Sequence, residues 1–318
     1  MKDNKNLYIG IDLGGTFIKG GVVSNNGDLL FSTQVETQAE KGSDNITKNI
    51  LKLINMLIDK LSMKKEDISG IGIGVPGIVD SKKGIAVCSH NLGFDNYPIA
   101  KKIEKEMSTP VKIANDANLA ALGESLFGFS KGCKNVVMLT LGTGVGGGAI
   151  IDGKMLEGNK SAGAEFGHSV IVYNGNQCNC GRKGCLESYV SATALIKKTK
   201  EEMLKNKNSK MWEVGNIENV NGKTAFDYKE VDKTAQDIVE EYINYLSCGV
   251  VNIVNVFRPE VLILGGGISN QGESLFKPLQ EIVNKEMFAN SHTPKVKIVG
   301  AKLGNNAGVF GSVGLFEN

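Results

Sequence analysis

Leu7-Tyr-Ile-Gly-Ile-Asp12-Leu-Gly14-Gly15-Thr16 is the stretch that decides the fold. It is a short apolar strand ending in an acid and a glycine turn. Phe17–Ser24 reads as a second strand, Asn26-Gly27 as a hairpin turn, and Leu29–Glu36 as a third strand. A glycine turn between strands presents backbone N–H groups that can hold phosphate oxygens. An acid at the end of the first strand can reach a magnesium ion, usually through water. Taken alone, Asp12 to Thr16 would equally be a tight hairpin with no ligand.

The pattern recurs at Val136-Val-Met-Leu-Thr140-Leu-Gly142-Thr143-Gly144-Val-Gly146-Gly147-Gly148-Ala-Ile-Ile-Asp152-Gly153-Lys154. Strand, glycine turn, strand and tight turn follow in the same register, about 128 residues later. A repeat of that size implies two domains of one design. Two glycine hairpins of this kind could grip the phosphates of one nucleotide. The turn is not a Walker A loop, because no Gly-Lys-Ser/Thr follows. It is not a dinucleotide fingerprint either, because a strand and not a helix comes next.

The length of 318 residues suits one large or two ordinary domains. Hydrophobic residues make up 41% and charged residues 22%, which is normal for a globular chain. A net charge of +2 gives no reason to expect nucleic acid or an anionic membrane as partner. The polar start Lys2-Asp-Asn-Lys-Asn6 lacks a signal core, and no stretch approaches the roughly 18 apolar residues of a membrane span. Cys88, Cys133 and Cys248 sit in apolar contexts and are expected to be core thiols. A reducing, cytoplasmic location is the expectation. The 40 glycines cluster beside strand-like runs, which suggests backbone approached closely by ligand.

Gly163-Ala-Glu165-Phe-Gly-His168 and Cys178-Asn-Cys180-Gly-Arg-Lys-Gly-Cys185-Leu-Glu187 form the second informative region. His168, Cys178, Cys180 and Cys185 are a complete tetrahedral ligand set for structural zinc. Gly181 and Gly184 let the backbone fold tightly between the sulfurs. The bland alternative is reduced cysteines beside an ordinary histidine. A closed zinc site would shape its surroundings rather than perform chemistry. Glu165 and Glu187, at its ends, are what it would shape.

Val111-Lys-Ile-Ala-Asn115-Asp116-Ala-Asn118 is a strand running into three polar residues and then a helix. A helix N-cap explains one of them. An acid held at such a junction is a good general base for a bound hydroxyl. Ile46, Ile50, Leu53, Ile54, Leu57 and Leu61 have helical spacing, and further helices are expected over 99–107, 191–205 and 234–256. Residues 68–75 read as a buried strand, Asn91-Leu-Gly-Phe94 as a loop, and 209–227 as a short ordered or semi-ordered insertion. Gly265-Gly266-Gly267 after the strand 261–264 could be a sharp turn or backbone fitted against an adenine or ribose. Residues 296–299 read as a last strand and 305–316 as a closing helix.

With five motifs in this order, the chain resembles sugar kinases of the ROK family (repressors, open reading frames and kinases), within the actin-like ATPase superfamily. The motifs are Asp12 to Thr16, Asn115 to Asn118, Leu141 to Gly147, Glu165 to His168 and Cys178 to Glu187. The resemblance implies an α/β chain with a duplicated actin-like (ribonuclease H-like) ATPase fold and two domains flanking a central cleft. The expected division is 1–118 plus 305–318 against 119–304, the latter with the zinc knuckle. It implies ATP and Mg2+ held by Asp12, Gly14, Gly15, Thr16, Lys19, Gly142, Thr143 and Gly144. Adenosine would lie against Gly265, Gly266, Gly267, Ala307 and Gly308. It implies sugar contacts from Gly77, Asn91, Asn115, Asp116, Glu165, His168 and Glu187, with Asp116 as catalytic base. His168 would serve both zinc and sugar.

The resulting expectation is ATP-dependent phosphorylation of glucose at its 6-hydroxyl, with domain closure excluding water. N-Acetylmannosamine, N-acetylglucosamine or fructose is the alternative substrate. A sugar-sensing repressor of the same family is the non-enzyme alternative. It is disfavoured because the first strand starts near Leu7, ahead of which a helix-turn-helix domain would have to lie. An actin-like filament or chaperone ATPase has no reason to carry the knuckle. The resemblance also suggests a homodimer.

Overall fold

A computed structural model describes residues 7–89 and 91–317. The chain divides into two compact units. Unit 1 comprises 1–132, 148–164 and 302–318, and unit 2 comprises 133–147 and 165–301. The sequence places the boundary after residue 118. In the structure that point falls inside the helix Asp116–Leu126, all of which belongs to unit 1.

Unit 1 begins with strands β1 (Leu7–Leu13), β2 (Phe17–Ser24) and β3 (Leu29–Glu36), helix α1 (Ser43–Lys60) and strand β4 (Ile68–Val75). Then come β5 (Ile78–Asp80), β6 (Ile85–Ser89), β7 (Phe94–Tyr97), helix α2 (Ile99–Met107), β8 (Val111–Asn115) and α3 (Asp116–Leu126). The main sheet has the order β3-β2-β1-β4-β8. β1, β2 and β3 pair antiparallel, while β4 and β8 add parallel to β1. Alternation puts Ile9, Ile11 and Leu13 of β1 in the core, where they meet Ile46, Ile50, Leu53, Ile54 and Leu57 of α1. That helical face is the one the spacing predicts.

β5, β6 and β7 form a separate small antiparallel sheet that sequence patterning missed. Asn91 lies in a turn between β6 and β7, as expected of a loop, but Phe94 is already in β7.

Unit 2 is built from β9 (Val136–Leu141), the start of β10 (Val145–Ile151), α4 (Glu187–Val190), α5 (Ala192–Lys205), α6 (Thr224–Tyr228), α7 (Lys233–Phe257), β12 (Val261–Gly265), α8 (Glu273–Glu286) and β13 (Lys297–Gly300). β11 (Lys154–Met155) follows β10 across a tight turn. The second sheet has the order β11-β10-β9-β12-β13. β12 lies parallel to both β9 and β13. Position for position this matches the first sheet, so the duplicated turns reflect duplicated sheets. From Gly148 onward β10 groups with unit 1, where Gly148 lies against Ala117 and Ala121 of α3.

Helix α9 (Ala307–Gly314) returns the chain to unit 1 and lies flat on β1 and β4. A β-carbon at Gly10 would stand 2.0 Å from the Val309 carbonyl oxygen, and one at Gly72 would stand 1.9 Å from that of Ser312. These glycines are approached by a helix backbone and not by a ligand, which corrects the sequence expectation for β1 and β4. The expected core role of Cys248 is also corrected: it is exposed on α7, and Cys88 and Cys133 are only half-buried. The apolar composition of the 234–256 stretch does not tell its buried side from its solvent side at that position.

The 209–227 stretch is ordered as two short 3-10 turns and α6. Trp212 anchors it by donating Nε1–H to the carbonyls of Met203 and Asn206 at the end of α5. Among the described residues, no helix is long and apolar enough to cross a membrane.

Candidate functional site

In unit 1, the turn after β1 is tightened by the Gly14 N–H donating to the Phe17 carbonyl at 3.0 Å. Thr37, fully buried, locks it from behind: its hydroxyl donates to Gly14 O at 2.6 Å, and its own N–H donates to Thr16 O at 2.9 Å. Thr37 was missed by sequence reading, because it lies one residue beyond β3 with no local motif. Gly15 and Thr16 are left exposed at the tip.

Asp12 and Lys19 sit directly opposite each other across β1 and β2. Lys19 Nζ donates to the Asn305 carbonyl at 3.1 Å. Asp12 is half-buried, and its carboxyl is pushed up to about 6, first by burial and then by the charge of Asp116, with Lys19 opposing. A β-carbon at Gly308 would meet the Asp12 carboxyl carbon at 2.6 Å. Gly308 and Ala307 therefore begin α9 against Asp12.

Asn115 is the N-cap of α3. Its Oδ1 accepts from Asn118 N–H at 3.1 Å, and its Nδ2 donates to the Gly77 carbonyl at 3.1 Å. Asp116 is then the first helical residue. Its Oδ1 accepts from Ala117 N–H at 2.9 Å. Burial raises its pKa, and the backbone N–H of Ala117 partly offsets this. Asn118 is buried, and its Oδ1 has no hydrogen-bond partner in the structure. So one polar residue caps the helix, and Asp116 is presented at a strand-to-helix junction. Gly77 adopts a positive φ of 94°, and Asn91 is exposed.

In unit 2, Gly142, Thr143 and Gly144 form the second turn, with Gly142 N–H donating to Gly144 O at 3.0 Å. Gly265 ends β12, and Gly266 packs its backbone against Leu141 of β9. Gly266 and Gly267 are exposed beyond it.

The ring nitrogens or sulfurs of His168, Cys178, Cys180 and Cys185 all lie within 4.8 Å of one another. Cys178 Sγ is 3.7 Å from His168 Nδ1, and Cys180 Sγ is 3.7 Å from Cys185 Sγ. Gly181 and Gly184 have φ of 90° and 81°, the tight folding their presence predicted. Burial pushes Cys178 up to about 12 and raises Cys185, while the N–H of Arg182 lowers Cys180. One nitrogen and three sulfurs with no carboxylate suit a closed tetrahedral site for a borderline-soft cation.

Glu165 is exposed and caps the turn Phe166–His168 through its carbonyl. Glu187 follows Cys185 by two residues. Its Oε2 accepts from Val145 N–H at 2.9 Å, and its Oε1 lies 3.6 Å from Cys178 Sγ. A cavity of about 680 Å³ opens beside Thr143 and Glu187 and extends to Thr193, Tyr189 and Tyr245.

The sequence profile of the ROK family matches residues 8–318. The chain belongs to the ROK family. Among ROK relatives, it is 35% identical over 313 residues to a protein named glucokinase from Halalkalibacterium halodurans, covering 96% of this chain and 93% of that one. It is 30% identical over 319 residues to a protein named xylose repressor from Caldicellulosiruptor bescii, covering 99% of this chain and 79% of the repressor. Its structure matches that of a ROK family glucokinase from Streptomyces griseus in complex with glucose and AMPPNP. There the TM-score is 0.82 and the identity 31%, over 98% of this chain and 99% of the other. With that match, the two like sheets are the duplicated actin-like fold of ROK sugar kinases.

Proposed function

We propose that this chain transfers the γ-phosphoryl group of ATP to the 6-hydroxyl of glucose. The near full-length likeness to the Streptomyces griseus glucokinase, a protein solved with glucose and AMPPNP, carries this reading. Asp116 is the base. Its carboxylate takes the hydroxyl proton as the sugar oxygen attacks the γ-phosphorus, and the bond to the ADP oxygen breaks on the opposite side. A carboxylate whose pKa burial has raised holds that proton better than a solvated one, and so is the stronger base.

The glycine turns at Gly14, Gly15 and Thr16 and at Gly142, Thr143 and Gly144 bind phosphate oxygens through backbone N–H groups, with Lys19 adding charge. Asp12 would hold Mg2+, which supplies neutralisation of phosphate charge. Gly265, Gly266, Gly267, Ala307 and Gly308 lie around adenosine. Gly77, Asn91, Asn115, Glu165, His168 and Glu187 orient the sugar. His168, Cys178, Cys180 and Cys185 would hold Zn2+ as a structural ion that keeps Glu165 and Glu187 in place. The protein works in the cytoplasm as a homodimer, and its mass in solution by light scattering tests the latter.

A sugar-sensing repressor is the second reading, favoured by the 30% identity to the xylose repressor. ADP release with magnesium and ATP over glucose, mannose, fructose, N-acetylglucosamine and N-acetylmannosamine separates the two. Strong preference for glucose is expected. Preference for an acetylated sugar or fructose keeps the kinase and replaces its substrate. No sugar-dependent release from zinc-loaded protein overturns the kinase reading.

A further inference from the structure

Three residues of the stretch 142–145, Gly142, Thr143 and Val145, have a backbone polar group taken by the segment that follows the last cysteine. Ala192 N–H donates to Gly142 O at 2.8 Å. Thr193 Oγ1 donates to Thr143 O at 2.8 Å. Glu187 Oε2 accepts from Val145 N–H at 2.9 Å. The fit at Glu187 is close: a β-carbon at Gly144 would stand 2.5 Å from the same Oε2. The segment cannot drift from the knuckle, since Ser188 N–H and Oγ both donate to the Cys185 carbonyl, at 3.0 and 2.7 Å. Ser191 caps α5 by accepting from Ala194 N–H, which sets Ala192 and Thr193 at the helix start.

We propose that Glu187 and Thr193 are positioning residues for the phosphate-binding turn 142–145, so that the cysteine cluster and that turn move as one piece. This rests on the kinase reading and goes beyond a sugar-contact role for Glu187. A loop of small residues has many conformations to lose on binding a nucleotide, and these two side chains remove them beforehand. Glu187 ties the turn at its β10 end and Thr193 at its tip.

The test measures ADP binding by calorimetry with no sugar present, together with amide hydrogen exchange in the peptide covering 142–147. Full-length, metal-loaded protein is used. E187A and T193V are expected to speed exchange in that peptide and weaken ADP binding roughly ten-fold, about what one lost hydrogen bond to a positioned group removes. E187Q and T193S keep the acceptor and the donor and should restore both readouts. A sugar contact alone would move neither. If E187A does not fold, T193V and T193S carry the comparison. Wild-type protein that binds no ADP overturns the kinase reading and this inference with it. Ordinary ADP binding in the wild type with unchanged exchange and affinity in the variants overturns the inference alone.

Discussion

Asp12, near the end of β1, lies within the field of Asp116, the first residue of α3. Burial and that second carboxylate together push its carboxyl up to about 6. The two acids thus have different surroundings within one unit. Lys19 faces Asp12, while a backbone N–H at the helix start steadies Asp116.

Replacing Asp116 by Asn keeps the cap at Asn115 and the shape of the junction, and removes the base. Sugar binding should persist while turnover falls by roughly a hundred-fold or more. Calorimetric sugar affinity beside steady-state turnover checks this. Near wild-type turnover would disprove the assignment.

A raised carboxyl pKa means that the folded chain holds the Asp12 proton more tightly than the unfolded chain does. The stability it contributes is complete below about pH 4 and is lost as pH rises through the folded value. D12N removes that loss, so it should gain stability relative to wild type between roughly pH 4.5 and 7. Urea unfolding of both proteins at the two pH values measures the difference. An equal offset at both would show that Asp12 titrates normally.

Gly308→Ala puts a methyl group 2.6 Å from the Asp12 carboxyl carbon, so the half-buried carboxyl must turn aside or α9 must shift. A loss of about 1–3 kcal/mol in unfolding free energy is expected from overpacking, together with weaker magnesium-dependent ADP binding. Unchanged binding would mean that Asp12 takes no part in holding the metal–nucleotide complex.

Chelation should strip the cluster and weaken sugar binding, because the ordered chain between His168 and Cys185 carries Glu165 and Glu187 at its two ends. Since burial holds Cys178 and Cys185 protonated, rebinding of zinc must release protons and weaken as pH falls. Calorimetry in buffers of different ionisation heat counts those protons. Sugar affinity indifferent to chelation would separate the cluster from the sugar contacts.

Much of this was legible in the sequence, because local chemistry decided it. The strands of residues 7–36 are short runs set off by the turns at Gly14-Gly15 and Asn26-Gly27, and α1 repeats isoleucine and leucine at helical spacing. The repeated glycine turn announced two like sheets. One histidine and three cysteines within eighteen positions announced a cluster that the fold brings together. What the sequence left open depends on residues far apart in the chain. Thr37 holds the first turn from 23 positions away. Gly10 and Gly72 are small because α9, more than 200 residues later, lies on their strands; Gly308 is small because Asp12 does. Glu187 reaches back 42 positions to Val145. Periodicity and turn chemistry act over a few residues and are written in the chain, whereas close approach of backbone to backbone and carboxylate to amide exists only once the sheets and helices have packed.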